Sequence, residues 1–172
     1  MNEQYSRKSS VRVFGVSEES DEDVKAVVST FFKEKLEVEI DQKEIDITHR
    51  VGKRTHHNQR SRPRPIIVKF ISHKHKELVM KNKRKLKESN YHVQEDLCPT
   101  IYKRLKEVRA IKGVEKCWTI DGKVKYKLKD DDKIHMIHSE FDLNTLKADF
   151  GMIDYANIPR IGDMHHGRGR QW

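Results

Sequence analysis

The order of strand-like and helix-like segments in residues 11–95 constrains the fold of this chain most. Four short runs rich in β-branched residues predict strands, and they lie at Val11–Val16, Ile45–Arg50, Ile66–Ile71 and Tyr91–Glu95. Apolar residues at helical spacing predict one helix over Val24–Leu36 and another over Lys74–Glu88, the second with Leu78 and Val79 buried. A strand, helix, strand, strand, helix, strand order forms a four-stranded antiparallel sheet with two helices on one face. We therefore predict an α+β chain that begins with a ferredoxin-like βαββαβ domain, the arrangement of an RNA-recognition motif.

A second small domain with a different pattern is predicted after Leu97. The dipeptide Asp121-Gly122 lies between two alternating runs, which is the strongest short-range signal for a β-hairpin. The predicted elements are a helix, a hairpin, a third strand and a final helix, at Pro99–Gly113, Lys116–Lys129, Lys133–His138 and Glu140–Phe150. We thus expect a helix–three-strand–helix domain.

These patterns divide the chain into four segments. Residues 1–10 are interpreted as an N-terminal remnant, 11–97 as the RNA-recognition-motif-like domain and 98–150 as the small C-terminal domain. Residues 151–172 lose all periodicity and are predicted to be a disordered basic tail.

Charge is concentrated in the middle of the chain. The net charge is +9, yet residues 52–112 alone carry 18 Lys and Arg against 5 Asp and Glu. Such an excess is typical of proteins that bind a polyanion, because each phosphate contacted by Lys or Arg releases a condensed counterion. A nucleic acid is the expected partner, and an anionic membrane surface is the lesser candidate.

Other function classes have little support in the sequence. The two cysteines, Cys98 and Cys117, form no metal or disulfide pattern and are interpreted as free thiols of a reducing compartment. Of the ten histidines, His56, His57, His135, His138, His165 and His166 lack cysteines or carboxylates at ligand spacing. No catalytic or nucleotide-binding motif is present. We expect a non-enzymatic protein without metal or cofactor. No signal peptide or membrane-spanning run is found, so we expect a cytoplasmic or nuclear ribonucleoprotein.

Several motifs resemble one known family when their order and spacing are taken together. They are Tyr5–Arg7 leading into Val11–Val16, then His49–Gly52, Arg64–Phe70 and Glu95–Leu97, and finally the hairpin Trp118–Gly122. In this order they resemble the RNA-binding protein encoded by the first open reading frame of LINE-type non-LTR retrotransposons. The resemblance covers roughly residues 5–146.

The resemblance implies a noncanonical RNA-recognition motif and a C-terminal domain that grip single-stranded RNA together and act as a nucleic-acid chaperone. It also implies an upstream coiled coil that trimerises the protein. Residues 1–10 are too short for two heptads, so homo-oligomers are expected only if that coiled coil exists in the full-length family member. Lys103 and Arg104 are the residues that the family implies as partners across the cleft between the domains.

Phosphate contacts are predicted to dominate binding by the first domain. We align the third strand with that of ordinary RNA-recognition motifs through Val68 and Phe70. Pro65 and Ile67 then occupy the positions of the stacking rings in those domains. Arg12 occupies the corresponding position of the first strand. Base readout from this sheet should therefore be poor. The candidate phosphate-binding residues are Arg12, Arg50, Lys53, Arg54, Arg60, Arg62, Arg64 and Lys69. The alternative for this group is a solvated charge run, as for the basic segment Lys81–Lys87, which is also typical of nuclear-localisation patches.

The hairpin offers a different candidate site. A two-residue turn pairs Trp118 with Lys125 and Ile120 with Lys123, which places all four side chains on one face and the core-forming residues on the other. A tryptophan among lysines is suited to stack on a base beside phosphate-binding ammonium groups. A Trp118 that is simply buried is the alternative.

Two functions from different classes follow from these observations. The first is a binder of single-stranded RNA and DNA with chaperone activity and weak sequence specificity. The second is a protein-interaction or scaffold module from a domesticated or decayed retroelement copy. An enzyme such as a nuclease ranks far behind both.

Overall fold

The computed structural model describes residues 3–53 and 62–152. The chain is α+β, with five α-helices and two antiparallel sheets in the described ranges. The first elements along the chain are α1 (Glu3–Ser6), β1 (Ser10–Phe14), α2 (Val24–Leu36), β2 (Ile45–Arg50), β3 (Ile66–Phe70), α3 (His73–Asn82) and β4 (His92–Glu95). They are followed by α4 (Pro99–Arg109), β5 (Val114–Ile120), β6 (Lys123–Leu128), β7 (Ile134–Met136) and α5 (Glu140–Phe150). None of the helices in these ranges is both long and apolar enough to span a membrane.

The described residues divide into two compact units. The first unit comprises residues 7–53 and 62–96, and the second comprises residues 3–6 and 97–152. The predicted tail 151–172 lies outside the described residues except for Gly151 and Met152.

The first unit is a four-stranded antiparallel sheet in the order β2-β3-β1-β4. Alternate residues of the strands, such as Val11, Val13 and Val68, are fully buried and join residues of α2 and α3 in one apolar cluster. Both helices therefore cover the same face of the sheet. The Asp23 side chain caps α2 by accepting hydrogen bonds from the backbone N–H groups of residues 25 and 26.

The region after β3 differs from the sequence prediction in two ways. The helix predicted over Lys74–Glu88 ends at Asn82 and continues as a single 3₁₀ turn, Lys83–Leu86. Leu78, expected in the core, is 41% exposed. The buried side chain on that part of α3 is Lys76, which binds Glu95 on the core side of β4. A carboxylate on the inner face of a strand needs a cationic partner, and this requirement sets which side of α3 faces the sheet.

The second unit contains a three-stranded antiparallel sheet in the order β5-β6-β7. The predicted hairpin register is confirmed, with Trp118 opposite Lys125 and Ile120 opposite Lys123. Asp121 and Gly122 have φ angles of 50° and 72°, as a two-residue hairpin turn requires.

The helices of the second unit complete its core. The predicted helix α5 is confirmed over Glu140–Phe150, with a capping box between Ser139 and Asp142. Leu105 and Val108 of α4 and Leu143 of α5 are buried. The strand predicted over Lys133–His138 is shorter, Ile134–Met136.

Candidate nucleic-acid interface

The two faces of the three-stranded sheet have opposite character. On one face Val124 and Tyr126 are buried, and burial raises the pKa of the Cys117 thiol to about 12, so this thiol stays protonated at neutral pH. The other face, called the hairpin face below, is formed by residues that the register places together. Its members are Lys116, Trp118, Ile120, Lys123, Lys125, Lys127, Ile134 and Met136.

Trp118 lies in the middle of the hairpin face. Lys125 is its direct cross-strand partner, and Met136 follows Lys125 on the third strand. The Trp118 side chain is half-buried, so it is neither a core residue nor a fully exposed one. Ile120 and Ile134 on the same face are 47% and 63% exposed. A half-buried indole of this kind still offers part of its surface to a ligand.

The four lysines of this face differ in their partners. Lys127 binds Asp132 at 2.7 Å and approaches Glu115 at 3.6 Å, and Lys116 lies 3.2 Å from Glu115. The hydrogen bond to Asp132 raises the pKa of Lys127.

Lys123 and Lys125, in contrast, have no ion pair with any residue that the structure describes. These two flank Trp118 and Ile120 across the hairpin. Because no carboxylate among the described residues forms an ion pair with either lysine, their charge is available to an anionic ligand.

The outer face of the four-stranded sheet, opposite α2 and α3, carries two of the predicted phosphate-binding residues. Arg12 lies on β1 directly opposite Ile67 of β3. Arg12 is 30% exposed, and its Nε donates to Asp96 at 2.6 Å. Lys69 forms a 3.0 Å ion pair with Asp46, and both side chains are about two-fifths exposed, so water and salt weaken this pair.

Arg50 lies in a different environment from the one expected of a phosphate ligand. Its side chain is only 4% exposed and donates through Nε and a terminal nitrogen to the two carboxylate oxygens of Glu22, at 2.7 and 2.9 Å. It also donates to the backbone carbonyls of Val16, Ser17 and Arg64. The hydrogen bond from Arg50 lowers the pKa of Glu22. These contacts hold the loop after β1 in place. They engage Nε and both terminal nitrogens of Arg50 with groups of the protein.

Arg64 belongs to the same cluster. It donates to the carboxylate of Glu18 and to the carbonyl of Gly52, and the hydrogen bond with Glu18 raises the pKa of the guanidinium. Glu18 and Asp21 line an open cavity of about 300 Å³ beside both arginines. The surroundings of Arg50 and Arg64 are therefore acidic and repel phosphate, which a sequence count of basic residues does not reveal.

The remaining candidates are dispersed. Lys53 and Arg62 are exposed, whereas Arg54 and Arg60 lie outside the described residues. In the second unit Lys103 is 81% exposed and lies 3.8 Å from Glu107, and Arg104 lies 3.6 Å from Glu140. Of the predicted set, the structure brings Trp118, Lys123 and Lys125 together on one surface.

Sequence reasoning missed an aromatic pair on the outer face of the four-stranded sheet. Phe14 and His92 are direct cross-strand partners, with ring centroids 5.9 Å apart at an interplanar angle of 44°. On β1 the sequence comparison with RNA-recognition motifs pointed to Arg12, and Phe14 lies two residues beyond it. The alternation of Arg12, Val13 and Phe14 could have identified Phe14, but the exact pairing with His92 required the register of β4.

No protein-family model matches the sequence, and a search of curated proteins finds no significant match. Function is therefore inferred from the geometry and charge of the two sheet faces.

Proposed function

We propose that this chain is a non-enzymatic protein that binds single-stranded RNA and DNA, mainly through phosphate contacts, with weak sequence specificity and nucleic-acid chaperone activity. We further propose that it is related to the first-open-reading-frame protein of LINE-type retrotransposons. The observation that carries the proposal is the position of Trp118 on the hairpin face, directly opposite Lys125 and diagonal to Lys123.

Each part of that constellation has a matching part in a single strand of nucleic acid. A base presents an apolar π surface, which stacks on the indole of Trp118. The flanking phosphates are anions, which the ammonium groups of Lys123 and Lys125 bind with release of counterions. Duplex bases are already stacked and enclosed, so this arrangement favours a single strand.

The architecture of the first unit supports the same proposal. The β2-β3-β1-β4 strand order with both helices on one face supports the proposal that this unit is a ferredoxin-like RNA-recognition motif. Such domains bind RNA on the face that the helices leave uncovered. Here that face carries Arg12 and Lys69, which supply charge, and Ile67, which supplies no ring. Weak sequence specificity follows from this composition.

The test is fluorescence anisotropy of the full chain with a labelled single-stranded RNA and the matching duplex, over a series of salt concentrations. We expect tighter binding to the single strand and a linear fall of log affinity with log salt concentration. In the double variant Lys123→Gln/Lys125→Gln, affinity should fall about tenfold and the salt slope by roughly 1.4, since each lost contact to a single strand removes about 0.7. In Trp118→Leu, affinity should fall with the slope unchanged.

A matched control removes the same charge elsewhere. Lys43 and Lys81 are exposed residues of the first unit that belong to no strand, and they have no ion pair with described residues. The double variant Lys43→Gln/Lys81→Gln should retain most of the slope. Equal losses in the two double variants would show that only net charge matters, and an affinity independent of salt would overturn the proposal.

A protein-binding scaffold is the second candidate, favoured by the exposed apolar side chains of Ile134 and Phe141 at 63% and 76%. It predicts no salt-dependent affinity for RNA and a purified complex with a defined protein that survives nuclease treatment. The anisotropy series distinguishes the two functions directly.

A further inference from the structure

The pair of rings formed by Phe14 and His92 does not contribute to the apolar core. On β1, Val11 and Val13 are buried beneath α2 and α3, and Arg12 and Phe14 alternate with them on the outer face. On β4, Val93 is buried and His92 lies on the outer face. Both rings are only partly buried, so π surface remains accessible to a ligand.

A guanidinium lies next to these rings on the same strand. Arg12 is two residues before Phe14, which corresponds to about 7 Å along an extended chain. Asp96, which is 1% exposed, holds the Nε of Arg12 at 2.6 Å and thereby fixes the direction of the guanidinium. The terminal amino groups of Arg12 have no hydrogen bond to any residue that the structure describes.

The two rings and the guanidinium together suit a single nucleotide, with its base on the rings and its phosphate on the guanidinium. A base stacks on an aromatic side chain without need of sequence-specific contacts, and a guanidinium binds phosphate oxygens through two parallel donors. The separation of about 7 Å along β1 is within the span of a nucleotide from base to phosphate. Lys69 also lies on this face, and its ion pair with Asp46 is exposed to water and therefore weak.

We propose that Phe14 and His92 form a stacking site for one nucleobase of a single strand, and that Arg12 binds the adjoining phosphate. The site rests on the proposed function and is separate from the hairpin face. Phe14 lies two residues beyond Arg12, at the end of β1, and Gly15 begins the following loop.

The test uses the full chain, the variant Phe14→Leu and two single-stranded probes of equal length, one a mixed-sequence DNA and one with abasic sugars throughout. Leucine keeps the apolar volume and removes the ring. On the normal strand we expect the variant to bind about five- to tenfold more weakly with an unchanged salt slope. On the abasic strand the variant and the natural chain should bind equally, because no base is present to stack.

The matched control is Phe141→Leu, which removes a 76% exposed ring of α5 and should leave both affinities unchanged. A loss in Phe14→Leu that is equal on both probes would overturn the stacking site, since it would reflect a structural effect. Photocrosslinking of the natural chain to 5-iodouracil-substituted RNA provides a second measurement that no folding defect affects. Crosslinks should map to the peptides that contain Phe14 or His92.

Failure of this site and failure of the proposed function are distinguishable. If the hairpin face binds but the outer face does not, salt-dependent affinity remains, crosslinks map only to the peptide of Trp118, and Phe14→Leu binds as well as the natural chain. If the chain does not bind single strands at all, both proposals are overturned together.

Discussion

Arg50 donates hydrogen bonds to one carboxylate and three backbone carbonyls, and its side chain is 4% exposed. Phosphate binding by this residue would require breaking a bidentate ion pair whose partner, Glu22, is 10% exposed. Removal of one partner from such a pair is costly, because the other charge is left in a poorly hydrated site. We therefore leave Arg50 out of the proposed interface and assign it to the stability of the first unit.

Glu22→Gln tests this assignment. The pKa of Glu22 is lowered in the folded protein by the hydrogen bond from Arg50, so this carboxylate stabilises the fold above its unfolded-state pKa near 4.5 and loses that contribution as the pH falls through the lower folded value. We expect the variant to be less stable at pH 7 by about 2 kcal/mol. Between pH 5 and about pH 3 its stability should fall less steeply than that of the natural chain. Urea denaturation at a series of pH values measures both effects.

The control for this prediction is Glu39→Gln. The pKa of Glu39 is also lowered, by Lys33, but the two side chains are 81% and 67% exposed, and water screens their interaction. This variant should show no measurable change at any pH. A Glu22→Gln protein as stable as the natural chain at pH 7 would contradict the structural role of the pair.

At the scale of elements, the hairpin was predictable in detail because its turn fixes its register. Asp121-Gly122 permits a two-residue turn, and once the turn is set every cross-strand pair follows, including Trp118 with Lys125. The end of α3 was not predictable in this way. Lys76 is buried only because Glu95, which is 19 residues away in sequence, lies opposite it on the inner face of β4. Partners so distant in sequence leave no local pattern, and the same holds for Arg50 with Glu22.

Gly122→Ala tests how strictly the turn depends on its glycine. Gly122 has a φ of +72°, and a Cβ atom there would lie 2.4 Å from Cγ of Gln4, whose Oε1 accepts a hydrogen bond from the Cys98 backbone. We expect a loss of at least about 1–2 kcal/mol, from backbone strain together with displacement of Gln4. Thermal unfolding monitored by circular dichroism measures this loss.

Gly52→Ala is the matched control for the hairpin. Gly52 also has a positive φ, +103°, but apart from its chain neighbours no described residue comes within 4 Å of a Cβ built there. Its substitution should cost backbone strain alone and so destabilise less than Gly122→Ala. Equal losses in the two variants would show that the contact with Gln4 contributes nothing.

At the scale of the whole molecule, ion pairs neutralise part of the positive charge that the sequence concentrates in residues 52–112. Several cations of that segment are paired with carboxylates, namely Arg64, Lys69, Lys76, Lys85 and Arg104. Residues 113–172 carry equal numbers of basic and acidic residues, yet they contain Lys123 and Lys125, which have no ion pair with described residues. Which lysines and arginines can bind a ligand thus depends on their ion-pair partners, and the net charge of a segment does not identify them.

The proposed chaperone activity makes a prediction for the entire chain. A protein with a net charge of +9 that coats single strands reduces the repulsion between them, so it should accelerate annealing of two complementary RNA strands at low salt. The acceleration should disappear at about 0.5 M salt, where phosphate contacts are weak. It should also be reduced in Lys123→Gln/Lys125→Gln and retained in Lys43→Gln/Lys81→Gln, as measured by fluorescence energy transfer between labelled strands. Saturating binding without faster annealing would restrict the function to binding, and acceleration that persists at high salt would contradict a mechanism based on phosphate neutralisation.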